Sequence, residues 1–215
     1  MKTNKELADI FRLFQSNIKK ESTFNIGKTK LLELRGEIQE IYKYIFSTCS
    51  KEDFSKMPLK NDKTIAYYLY HLTRIEDITS NTLISEKEQI FFKNGFNKSI
   101  NSPIITTGNE IERDKLIEFS SMLDIDELEK YTEDVLENTN NIINKMTYSE
   151  SKLKISQERK EELLKLNTVS TDENAFWLVD YWCKKTQAGL LLMPFSRHQM
   201  LHLNGCKRII KKIKK

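Results

Sequence analysis

Asn61-Asp-Lys-Thr-Ile65-Ala-Tyr-Tyr-Leu-Tyr-His71-Leu-Thr-Arg-Ile75-Glu-Asp-Ile78-Thr-Ser80 places apolar side chains at 65, 68, 69, 72, 75 and 78. That recurrence is one face of an α-helix. Asn61 or Asp62 offers the capping oxygen that opens it, and the pattern predicts a helix running to about Ser85. His71 sits inside the stripe, with Tyr67 and Tyr68 one turn before it and Ile75 one turn after. A histidine so placed faces the protein interior.

The same period extends in both directions. Asn4–Ile18 carries Leu7, Ile10, Phe11 and Phe14 on one face, and Lys28–Thr48 carries Leu31, Leu34, Ile38, Tyr42 and Ile45. Asp126 is read as the cap of a helix over Glu127–Met146, and a short helix is expected over Ser156–Leu166. Thr171 or Asp172 opens a helical segment to Met193, after which Pro194 either starts the last helix or kinks the preceding one. That last helix is expected over Phe195–Lys211. Cys49–Lys60, with Pro58, reads as a loop. Gly95, Pro103 and Gly108 gather in Glu86–Arg113, which reads as a long irregular crossover.

Only 6 glycines and 3 prolines occur in 215 residues. Sandwiches, barrels and propellers need turn residues every ~8–12 positions, so this scarcity argues against them. It also leaves neither common glycine-rich nucleotide-binding loop. The expected architecture is all-α: a four-helix bundle over 28–215 with accessory helices and one long crossover, preceded by an N-terminal accessory helix in 1–27.

The net charge of +4 is small, and six basic residues lie in the tail Lys207–Lys215. That tail reads either as a contact for nucleic acid or an anionic membrane, or as a solvated helix end whose cations complement the macrodipole. Nucleic acid is therefore not the expected partner. The longest apolar run, Ala188–Phe195, is far below the ~20 residues of a membrane span, so no transmembrane segment is expected. No apolar stretch follows the N-terminal lysines as in a secretory leader. Cys49, Cys183 and Cys206 form an odd, scattered set that fits a reducing, cytoplasmic setting rather than a disulfide framework.

There are three histidines: His71, His198 and His202. The last two, in His198-Gln-Met-Leu-His202, stand one helical turn apart on a face continued by Cys206, Ile209 and Ile213. Two imidazoles so spaced can grip one metal ion from one side, as in the zinc helices that carry His at i and i+4. The glutamate that serves as base in those peptidases is missing, which excludes that chemistry. His71 can supply a third ligand from another helix, leaving an open position of the kind found in catalytic zinc sites. The alternative is an inward histidine pair hydrogen-bonded in the core, with an unrelated third.

An inward histidine in the second bundle helix, followed by H-x-x-x-H in the last, resembles the DinB-like superfamily of metal-dependent helical bundles. The stretch Ser55–Glu76, with its Pro58 loop and His71, and the stretch Arg197–Gly205 are similar to that family's two motif regions. The resemblance runs from about Lys28 to the C-terminus and implies His71, His198 and His202 as metal ligands. Two departures stand out: Leu201 precedes His202 where the family often has a second histidine, and Gly205 occupies a position often held by Gln. The resemblance implies a bound divalent metal (zinc, nickel or iron) that activates a low-molecular-weight thiol, or water, against an electrophilic small-molecule substrate. Arg74 and Arg197 are candidates to hold a carboxylate of the thiol, or else form ordinary salt bridges. Cys206 is a candidate fourth ligand or a buried small hydrophobe, and Tyr67, Trp177 and Trp182 are candidate pocket walls or core. A metal-containing bundle that binds a ligand or partner without turnover is the second reading. A homodimer is compatible with either.

Overall fold

A computed structural model describes residues 2–215 and shows an all-α chain with no β-strand among them. The helices are α1 (Asn4–Asn17), α2 (Phe24–Thr48), α3 (Ile65–Asp77), α4 (Ile90–Lys93), α5 (Phe96–Ser99) and α6 (Leu116–Met122). They are followed by α7 (Ile125–Lys145), α8 (Tyr148–Lys152), α9 (Gln157–Lys165), α10 (Glu173–Cys183), α11 (Gln187–Leu192) and α12 (His198–Ile213). Two wider π-helical turns interrupt the pattern, Ile78–Ser85 after α3 and Met193–Arg197 before α12.

The long helices start where a side-chain oxygen is free to cap them. α3 is capped by Thr64, whose hydroxyl accepts from the Tyr67 amide at 3.2 Å, rather than by Asn61 or Asp62. The Asp62 carboxylate is already engaged by Arg208 at 2.6 and 3.0 Å. Likewise Asp124, not Asp126, caps α7 by accepting from two amides, while Asp126 pairs with Lys51. α2 begins at Phe24, four residues before the expected start at Lys28, so Gly27 lies in its first turn. The expected segment to Met193 is two helices, α10 and α11, broken after Cys183. Pro194 enters the π turn and has no amide to give, which suits a widened turn whose regular ladder is already broken.

α2, α3, α7 and α12 pack in a closed cycle, α3 against α7 and α12, and α2 against the same two. α1 lies along α2, and Leu7 and Ile10 enter the core that holds Ile38, Leu69, Leu128 and Leu203. A second apolar cluster gathers Ile75, Ile78, Leu163, Val179, Trp182 and Leu190 where α9 and α10 cover the end of α3.

α3 departs from the one-sided stripe that its sequence predicts. Every residue from Thr64 to Leu83 is buried, including Arg74, Glu76, Asp77 and Asn81. A helix buried all round must find partners for its polar face, because an unpaired buried charge is costly. Asp77 illustrates this: it accepts from the amides of Ile90 and Phe91, both at 2.9 Å, from Tyr131 Oη at 2.7 Å and from Asn81 at 2.8 Å. It thereby caps α4 and ties the start of the crossover to α3. The crossover then turns at Asn101, with φ 58°, and at Gly108, with φ 76°.

The basic tail is partly neutralised within the fold. Arg208 pairs with Asp62, and Lys214 with Asp53 at 2.9 Å. No helix among the described residues is long and apolar enough to cross a membrane.

Candidate metal centre

His71 sits mid-helix in α3, His198 opens α12 directly after the π turn, and His202 follows one turn later. Their ring centroids lie 5.1, 5.3 and 4.6 Å apart, and one ligand atom of each falls within 4.8 Å of the others. This group can hold a metal ion. His71 Nε2 and His198 Nε2 are 3.3 Å apart. Two imidazole nitrogens ~2.0–2.1 Å from one tetrahedral zinc would be separated by about 3.3 Å, so this pair already has the spacing of a shared ion.

The orientation of His71 comes from the crossover. Its Nδ1 lies 2.8 Å from the Thr107 carbonyl. A carbonyl only accepts, so Nδ1 carries the proton and the Nε2 lone pair points at His198. Metal-ligating histidines are oriented by this kind of second bond. Gly108, next in the chain, adopts a left-handed φ of 76°, which turns the backbone so that Thr107 presents its oxygen. Burial pushes the His198 imidazole down to about 3 and His202 to about 4, and holds His71 well below the usual range. Mutual repulsion within the triad adds to that effect for His71 and His198, and the Lys63 charge adds to it for His202. All three rings are therefore neutral near pH 7, the form that ligates.

A buried clamp sets the register of α3 against α12. Arg35 on α2 donates to Glu76 at 2.6 and 3.2 Å and to the Phe195 carbonyl of the π turn at 3.0 Å. Gln199 Nε2 donates to the same Glu76 at 2.8 Å, and Tyr42 Oη donates to Gln199 Oε1 at 2.7 Å. Glu76 stands five residues after His71 and Gln199 directly follows His198, so the clamp holds both ligand-bearing helices beside the ligands. The sequence stripe contained Tyr42, but nothing local marked Arg35, Glu76 and Gln199 as one group.

Gly205 gains a reason. A Cβ there would stand 2.9 Å from the Tyr68 ring, which packs on His202 with centroids 5.0 Å apart. The Tyr68 ring fills the space that a glutamine at 205 would need.

The other candidates fall out differently. Arg74 makes five bonds, to Gln89, Asp77, Tyr131 and twice to the Ile105 carbonyl, and its guanidinium lies 4.0 Å from the Phe91 ring centroid. Its donors are consumed inside the protein. Arg197 is exposed and does not line the cavity over the histidines. Cys206 is buried in the core, its thiol pushed far up by burial, and its sulfur is not among the converging ligand atoms. Cys49 and Cys183 are each raised to about 11 by burial, so none of the three cysteines is an activated nucleophile.

A cavity of about 410 Å³ opens over the triad, walled by Tyr67, Ile75, Trp177, Trp182 and Leu201. Trp182 is buried, whereas Trp177 is 51% exposed and stands at the rim. A wider cleft of about 690 Å³ between the start of the crossover and α9 is lined by Glu86, Lys87, Glu158 and Arg159, and none of the three histidines borders it.

No protein-family model matches this sequence, and no curated protein matches it either. In three dimensions the chain is similar to a conserved protein from Enterococcus faecalis known from its crystal structure. The TM-score is 0.60 at 10% identity, covering 100% of this chain and 99% of that one. At so low an identity the likeness shows a shared fold alone.

Proposed function

We propose that the chain is a metal-dependent enzyme of the DinB-like type, with a divalent ion (zinc, nickel or iron) held by His71, His198 and His202. The reading is carried by the convergence of three neutral imidazoles at the floor of a largely apolar cavity. A hydrogen bond between the two Nε2 atoms would account for their 3.3 Å spacing. It would not account for a third ligand atom brought to the same point.

Such an ion, when bound, supplies the charge that lowers the pKa of a coordinated small thiol or water. The residues of the chain have separate tasks. The Thr107 carbonyl fixes the His71 tautomer, and the clamp of Arg35, Glu76 and Gln199 fixes the helix register. Trp177, Trp182 and Leu201 form the apolar wall that receives the apolar body of the electrophile. With three protein ligands, a tetrahedral ion keeps one position for thiol or water. The absence of an activated cysteine supports an external nucleophile over an enzyme-bound one.

Elemental analysis of the purified chain and of His198→Ala tests the site. About one metal per chain is expected in the first and a marked loss in the second, and equal metal content would refute the site. An electrophile-conjugation assay across several low-molecular-weight thiols then tests turnover, with wild type active and His198→Ala inactive.

A further inference from the structure

This inference rests on the metal reading and concerns what enters the cavity. The lining contains no Asp or Glu. Its one lysine or arginine is Lys63, directly before the cap residue Thr64. Lys63 Nζ lies 2.8 Å from Tyr67 Oη and 4.0 Å from the Tyr67 ring centroid, and that ring stacks on His71 at 5.5 Å. Among the described residues the two fully buried cations, Arg35 and Arg74, each face a carboxylate. Lys63 has none among the described residues. Its neighbour Asp62 is taken by Arg208, and Glu110 accepts from Thr106 and does not line the cavity. Burial, with the nearby Arg113 charge, lowers the Lys63 ammonium to about 8, which leaves it mostly cationic at neutral pH.

The charge balance has one sign. Three neutral imidazoles do not offset a divalent ion, Lys63 adds a further positive charge, and the wall supplies no negative one. A partly desolvated cation without a counter-charge favours a ligand that brings one. Apart from the neutral amide of Asn109 the remaining wall is apolar and aromatic, and the cavity's volume of about 410 Å³ suits a small molecule.

We propose that the cavity selects a small aromatic or aliphatic carboxylate, received through its carboxylate by Lys63 and through its apolar body by Trp177 and Trp182. Lys63 is thus a specificity-determining residue of the metal site.

Both tryptophans of the chain line this cavity, so intrinsic fluorescence reports its occupancy directly. The full chain, with and without one equivalent of zinc, is titrated with 3-phenylpropanoate, 3-phenylpropanamide and 3-phenylpropylamine. Wild type is expected to bind the carboxylate about tenfold or more tightly than the amide, the scale of one charge-assisted hydrogen bond, and the amine least. Lys63→Met is expected to bring carboxylate and amide to near-equal affinity, and Lys63→Arg to keep the preference. Equal binding of carboxylate and amide by wild type, a preference unchanged in Lys63→Met, or no response to any probe overturns the proposal. The metal reading is scored separately by zinc content in wild type and His198→Ala, so either can fail while the other stands.

Discussion

Replacing Glu76 by Gln removes one negative charge from the buried clamp while keeping its shape. Arg35 and Glu76 side chains are 0% and 1% exposed and 2.6 Å apart. Glu76 also accepts from Gln199 at 2.8 Å. The substitution leaves a guanidinium in the core facing an amide in place of its counter-ion. Breaking a buried pair in this way costs about 3–5 kcal/mol, most of it the stranded charge rather than the lost attraction. For a chain of this length each kcal/mol moves the melting temperature by roughly 2–4 °C, so a drop of roughly 6–20 °C is expected. The double substitution Arg35→Met with Glu76→Leu removes both charges and should recover most of that loss, because no unpaired ion remains. Thermal and urea melts followed by circular dichroism on Arg35→Met, Glu76→Leu and their double form a double-mutant cycle that measures the coupling, with Glu76→Gln measured beside them. Metal affinity in Glu76→Gln should also fall, by about 10–100-fold, the usual effect of losing an outer support of a ligand set. A stability loss below about 1 kcal/mol, or single and double effects that simply add, would refute the clamp.

Gly205→Gln forces a side chain into the Tyr68 ring, and overpacking of this kind costs about 1–3 kcal/mol. The same variant should lose metal because Tyr68 packs on His202, so an unchanged melt with full zinc content would count against that account. The three thiols should be sluggish toward a disulfide reagent: at pH 8 a thiol raised to about 11 is barely ionised, and Cys49 and Cys183 should react roughly tenfold or more slowly than glutathione. Buried Cys206 should react only on unfolding, and rapid labelling of the native chain would contradict this. Hydrogen bonds from Lys214 and then Lys56 hold Asp53 well below the usual carboxyl range. Its contribution to stability is therefore complete above about pH 4 and lost as pH falls through the lower folded value. Asp53→Asn should flatten the acid limb of the stability profile, whereas acid profiles parallel to wild type would rule the pairing out.

Helical periodicity was legible wherever one face alone is buried. In α1 the apolar stripe matches the buried residues except for half-buried Phe11, and the expected boundaries of α1 and α7 lie within about two residues. α3 was only half legible. Its stripe located the helix and turned His71 inward, but it could not say that Arg74, Glu76 and Asp77 are buried as well. A hint lay in the polar face itself, where Thr73, Thr79, Ser80 and Thr82 replace the lysines and glutamates typical of a solvated face. Caps were misread by two or three residues because Asp62 and Asp126 find distant cations, and a cap is decided by which oxygen remains free.

Chain order alone determined the helical class, through scarce turn residues and a 3.6-residue period, and placed His198 and His202 on one face, because i and i+4 share a face in any α-helix. What it could not decide were distances between elements. Tertiary packing brings His71 within 3.3 Å of His198 across 127 residues, and lays the Thr107 carbonyl on His71 from a crossover with no regular period. It also spends Arg74 on the interior and leaves Lys63 facing the cavity without a counter-ion. Periodicity is a property of neighbours in the chain. The site is a property of neighbours in space, set by the packing of α3 against α12 and by the buried ion pair that holds them in register.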